Sequence, residues 1–193
     1  MRVLIVNGFD AGDDAVVRQF EERLKDAGHS CTVNDLEAEG FGEFMSCEER
    51  VAYHSERPLI SPQTQTAARQ VVETQAILIT YPQRHMGFPP RVKSWNERVF
   101  VPGVGFRFKP SGVVTGALDH LKHVLIVEVG LDHNDPNHPK WPLVSGRLHH
   151  RSAPGPTLAR SFRLTSNRKC RARFRFVNRA DTAAAFRQLD RWK

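Results

Sequence analysis

At 193 residues, 40% hydrophobic and 25% charged, the chain has the length for one domain with a full core, and its composition excludes a disordered or collagen-like polypeptide. No apolar run reaches the ~20 residues that a membrane-spanning helix needs, and Arg2–Val6 is too short and too soon polar for a secretory signal. The net charge of +7 is uneven: from Lys140 onward 14 lysines and arginines face only Asp181 and Asp190, so that stretch carries +12 and the rest −5. Such a tail can attract phosphates, acidic partners or nucleic acid. No aromatic platform or recognition-helix pattern accompanies it, so a solvated, arginine-rich edge is the simpler reading. Three widely spaced cysteines (Cys31, Cys47, Cys170), without a Cys-x-x-Cys pair, suit reduced thiols in a cytoplasmic protein.

The chain opens with Arg2–Val6, a nearly continuous apolar run that fits a strand buried on both faces. Asn7-Gly8-Phe9-Asp10-Ala11-Gly12-Asp13-Asp14 then leads into a helix over Asp13–Ala27, with Val16, Val17, Phe20 and Leu24 at helical spacing. Asp13 and Asp14 are good helix starters and Gly28 is a good stop. Ser30–Asp35 is a second strand, which makes a βαβ unit with an expected right-handed crossover. Ser46-Cys47-Glu48-Glu49 is a capping box for a short helix.

Pro58 and Pro62 mark a surface connection between Ser55 and Thr66, and Thr66–Thr74 reads as helix. Ala76–Tyr81 is the third strand, Pro90–Phe100 a helix burying Val92, Trp95, Val99 and Phe100, and Lys122–Val129 the fourth strand. Asp132–Pro142 is a loop, and residues 143–165 fit no single pattern. Cys170–Val177 alternates apolar residues with Arg171, Arg173 and Arg175, as a half-buried edge strand does. Asp181–Trp192 is a closing helix. Strands alternating with helices give a single doubly wound α/β domain over residues 1–193, with five parallel strands in the order 2-1-3-4-5.

Two stretches carry a family resemblance. The first is Ala27-Gly28-His29, Val33-Asn34-Asp35-Leu36-Glu37-Ala38-Glu39-Gly40-Phe41 and Met45-Ser46. The second is Tyr81-Pro82, Gly87, Pro89-Pro90, Lys93, Trp95 and Arg98-Val99-Phe100, followed by Pro102-Gly103 and Gly105-Phe106. Across residues 1–131 the chain resembles the FMN-dependent NAD(P)H:quinone oxidoreductases of flavodoxin-like fold. The resemblance implies FMN at the carboxyl ends of the strands, NAD(P)H as electron donor, a quinone or aromatic substrate and a homodimer. It implies that the FMN phosphate meets the first loop at Gly8, Phe9, Asp10 and Asp14. The ring would meet Pro82, Gln83, Arg84, His85, Met86 and Gly87, with Val129 and Gly130 at the end of the fourth strand. Glu128 is unexpected beside that glycine.

Two features of the chain leave a second reading open. Asp10, Asp13 and Asp14 stand where a helix N-terminus offers N–H groups to a phosphate; a carboxylate there satisfies those groups itself and repels like charge. Gln83-Arg84-His85-Met86 stands where the family commonly places aromatic residues beside the flavin. The crevice can therefore serve a flavin-free protein, performing redox-neutral acid/base chemistry or acting as a binding or regulatory module. In an enzyme, His85 is the candidate acid/base or hydrogen-bond donor to a substrate oxygen, and Arg84 the stabiliser of developing negative charge. His133, or His138, can reach substrate from the loop at Asp132–Pro142, which lacks metal-site spacing. Cys47 follows a helix N-cap, but with no base assigned nearby it reads as inert. Arg171, Arg173 and Arg175 can bind a phosphate-rich ligand or discourage edge-to-edge pairing, and the second is preferred.

Overall fold

Strand β1 (Arg2–Asn7) is buried along its length after Arg2, because it lies between two parallel neighbours and under helices on both faces. The computed structural model describes residues 1–12, 15–42, 44–82 and 88–130 together with the strand at 171–178. After β1 come α1 (Ala15–Asp26), β2 (Ser30–Asp35), α2 (Cys47–Ala52), α3 (Pro62–Glu73), β3 (Ala76–Pro82) and α4 (Pro90–Val99). A hairpin of β4 (Phe106–Phe108) and β5 (Val114–Gly116) precedes β6 (His123–Gly130) and β7 (Arg171–Asn178). The parallel sheet runs β2-β1-β3-β6-β7, so the order read from sequence stands, with β6 and β7 in the fourth and fifth places.

Alternation along the strands sends side chains to two separate cores. Val3, Ile5, Leu78 and Val127 pack with Val16, Val17, Phe20 and Leu24 of α1. Leu4, Val6, Ile77, Ile79 and Tyr81 pack with Ala67 and Val71 of α3 and with Val92, Trp95 and Val99 of α4. The expected amphipathic faces of the first helix and of the helix at Pro90 are therefore the faces buried. Gly28 ends α1 as expected, at φ 80°, donating its N–H to the Lys25 carbonyl at 2.9 Å.

Three boundaries differ from the sequence reading. Helix α3 starts at Pro62, four residues before the expected Thr66. Ser61 caps it, its Oγ accepting the Thr64 N–H at 3.2 Å, and proline at the first helical position lacks only an N–H that has no intrahelical partner anyway. Pro62 thus opens a helix, where it had read as part of a connection. The β4–β5 hairpin was not expected. Its strands have three residues each, too short for alternation to show, and its turn relies on Gly112 at φ 78°. The helix over Asp13–Ala27 is seen as Ala15–Asp26, and Asp13 and Asp14 lie outside the described residues. So do the loop at 132–142, the segment 143–165 and the helix at 181–192.

The capping box before α2 forms as the sequence indicates: Ser46 Oγ accepts the Glu49 N–H at 3.1 Å, and Glu49 Oε2 accepts the Ser46 N–H at 2.9 Å. The other oxygen of Glu49 does something no local pattern shows. It accepts from Arg98 Nε at 3.0 Å and Nη2 at 2.8 Å, while Arg98 Nη2 also reaches Gln63 Oε1 at 3.2 Å and the guanidinium lies 5.1 Å from the centre of the Phe41 ring. Both ionic side chains are about nine-tenths buried, so the pair ties α2, α3 and α4 together away from water.

Candidate functional site

The carboxyl ends of β1, β3 and β6 lie side by side, with Asn7 opposite Thr80, Tyr81 opposite Glu128 and Pro82 opposite Val129. The first loop leaves this rim at Gly8 and the third at Pro82, next to the Val129–Gly130 end of β6. The third loop also returns to the rim, because Phe88 packs edge-on against Tyr81 with ring centres 5.5 Å apart. In an open parallel sheet this is where a crevice for ligands forms. Gln83, Arg84, His85, Met86 and Gly87 fall between those two anchored ends and lie outside the described residues, as do Asp14 and His133.

Gly8 serves the packing of the rim. A Cβ there would lie 2.5 Å from Val92 Cγ2 and 3.0 Å from Tyr81 Cβ, and its N–H bonds to the Thr80 carbonyl at 2.8 Å. Gly8→Ala is therefore expected to push α4 off the end of β1 and to lower stability by about 1–3 kcal/mol, measurable by urea unfolding. Phe9 turns its ring into the core on the α1 side, and its N–H donates to Asn7 Oδ1 at 3.0 Å. Buried Asn7 in turn donates to Asp35 Oδ2 at 3.0 Å, and Asp35 Oδ1 accepts the N–H groups of Glu37 at 3.0 Å and Ala38 at 2.9 Å. This relay fixes the loop after β2 and sets Glu37 beside the first loop.

Two loops and the first turn of α4 then meet in one ionic cluster. The Ala11 N–H donates to the Glu37 carboxylate. Arg91, in the first turn of α4, places Nη1 3.3 Å from Asp10 Oδ1 and Nη2 3.8 Å from Glu37 Oε1. The three side chains are partly exposed, so each ion pair contributes at most ~1 kcal/mol to stability, and their main consequence is for what else can bind. A phosphate at the end of strand one needs free N–H donors and a net positive field. Here an N–H donor and the guanidinium at that end are both engaged by carboxylates of the chain itself. The described residues therefore do not fit the phosphate of FMN.

Glu128, unassigned from sequence, is the charged group buried at the rim: 2% exposed, on the same sheet face as Tyr81 and opposite it. Burial pushes its carboxyl up to about 7, and burial, then the Glu128 charge, pushes the Tyr81 hydroxyl above its usual range. The signal was present as a lone acid inside Val127-Glu128-Val129, at the end of an otherwise apolar run. Ionisable groups displaced toward neutrality cluster at functional sites.

Comparison with known proteins agrees with this architecture. The model of a family described as having a flavodoxin-like fold matches residues 1–144. NAD(P)H dehydrogenase [quinone] 1 of Cavia porcellus is 27% identical over 154 residues, covering 66% of this chain and 55% of that protein, so the match spans only about half of the relative's length. Two solved structures share the fold at low identity. One is the NAD(P)H:quinone oxidoreductase from Methanothermobacter marburgensis (TM-score 0.68, 19% identity, 99% of this chain and 96% of that one). The other is an FMN-dependent NADH-azoreductase from Bacillus anthracis in complex with FMN (TM-score 0.65, 12% identity, 98% and 95%). With its parallel β2-β1-β3-β6 order and a family match over most of its length, the chain belongs to the flavodoxin-like family.

Proposed function

We propose that the chain is a quinone-type oxidoreductase: NADH or NADPH gives up a hydride, and a quinone or comparable planar acceptor, taking that hydride and one proton, becomes the hydroquinone. The observation that carries the reading is the rim itself. Pro82 and Phe88 are both held beside the ends of β1 and β6, at the rim where an open parallel sheet takes a flat ligand. The names of the relatives, quinone and azo reductases, point to the same substrate class. A flavin is the group that would pass the electrons in such a protein, and its ring end is the part this rim suits. A homodimer in the cytoplasm completes the reading; among the described residues no helix is long and apolar enough to cross a membrane.

Within this reading His85 gives the proton to the substrate oxygen, Arg84 stabilises the negative charge that develops there, and His133 is the second candidate donor. NAD(P)H consumption with a benzoquinone acceptor tests the activity, and no turnover above the uncatalysed rate rejects it. His85→Ala is expected to lower kcat on the order of 100-fold with little change in quinone affinity. Unchanged kcat removes His85 from the mechanism.

One observation favours a second reading: Asp10 and Glu37 at the phosphate end suit a flavin-free protein using the same rim for redox-neutral chemistry or for binding. The absorbance spectrum after incubation with FMN or riboflavin and removal of unbound flavin separates the two, since colourless protein supports the second.

A further inference from the structure

We infer that the chain carries its own anion at the phosphate end of the crevice, so that the site selects an uncharged flavin of the riboflavin class over the phosphate ester FMN. The inference rests on the proposed function and goes beyond it by naming what the site rejects. Among the described residues, an N–H donor and a guanidinium that could receive a phosphate there are already engaged by carboxylates. The Ala11 N–H is held by Glu37, and the two terminal nitrogens of Arg91 face Asp10 at 3.3 Å and Glu37 at 3.8 Å. A phosphate would have to displace both carboxylates and then remain next to them, like charge against like charge.

Glu37 cannot simply swing away with its loop. Its own N–H is held at 3.0 Å by Asp35 Oδ1, and Asp35 is held by Asn7, which is 2% exposed at the end of the central strand. The cluster thus has a fixed backbone behind it. A ligand with a neutral polyol in place of the phosphate faces none of these conflicts, because hydroxyl groups donate to carboxylates rather than repelling them.

The test is a fluorescence titration of riboflavin and FMN against the full chain, its Glu37→Gln variant and the Asp10→Asn/Glu37→Gln double variant, with circular dichroism to verify the fold of each. The unaltered protein is expected to bind riboflavin at least tenfold more tightly than FMN. The double variant, which keeps the hydrogen-bond acceptor for Ala11 and frees the Arg91 charge, is expected to gain at least tenfold for FMN while riboflavin changes less than threefold. Added salt should narrow the preference of the unaltered protein, because the repelling charges are partly exposed. FMN bound as tightly as riboflavin by the unaltered protein overturns the inference, and so does a preference that the double variant leaves unmoved. If no variant binds either flavin, the inference also falls. NAD(P)H:quinone turnover is read separately, so FMN preference with intact turnover removes the inference alone and leaves the oxidoreductase reading standing.

Discussion

Arg98→Met is expected to cost about 3–5 kcal/mol of folding stability, because it leaves Glu49 charged and buried with no counter-charge. The Glu49 carboxylate accepts from Arg98 at 2.8 and 3.0 Å, and Ser61 Oγ lies 3.5 Å from the same oxygen. Water cannot take the place of the guanidinium, since both side chains are about nine-tenths buried. Adding Glu49→Gln to Arg98→Met should restore more than half of the loss. The amide removes the stranded charge and keeps an acceptor for the Ser46 N–H in the capping box. Urea unfolding of the two single variants and the double variant measures the coupling directly. Additive costs from the two positions would show that the pair is not the link between α2 and α4.

A second large effect depends on pH. Burial raises the Glu128 carboxyl from 4.5 to about 7 in the folded chain. Below pH 4.5 both folded and unfolded chains hold the proton and the residue carries no penalty. As pH climbs from 4.5 to 7 the unfolded chain loses its proton first, so stability falls, and above 7 the penalty is complete. At 1.36 kcal/mol per pH unit the shift corresponds to about 3 kcal/mol. Glu128→Gln removes the titration: it should match the parent near pH 4 and exceed it by about 3 kcal/mol at pH 8. Chemical unfolding at the two pH values checks this, and an equal stability difference at both would show that Glu128 does not titrate near neutrality. The parent thus tolerates a destabilising acid beside Tyr81 at the rim, a pattern typical of sites that need a proton within reach.

The central strands, the first helix and the helix after β3 were legible because each advertises itself locally. Val3–Val6 and Ala76–Tyr81 are apolar runs of strand length, and Val16, Val17, Phe20 and Leu24 recur at helical spacing. The rim was legible to the same degree, since a parallel order brings the loops after β1 and β3 to the carboxyl ends of the strands. The aspartates of the first loop announced a poor phosphate site, but Glu37 and Arg91 did not join them in the sequence reading. Arg91 and Asp10 are 81 positions apart, and Arg98 and Glu49 are 49 apart. Nothing in the neighbourhood of either residue specifies such a partner. The start of α3 at Pro62 is hidden for a different reason: proline reads as the mark of a connection, whereas after a serine cap it is a favoured first helical residue.

By itself the sequence determined the strand order of the sheet and the helix that follows each of its first strands, because period and turn chemistry act over a few residues. Only the tertiary structure decided which charges neutralise one another, Glu37 and Asp10 on Arg91 at the rim and Glu49 on Arg98 in the interior, and that Glu128 is buried opposite Tyr81. Charge pairing depends on distance through space, and the fold brings these groups together from strands and helices that the chain order keeps far apart.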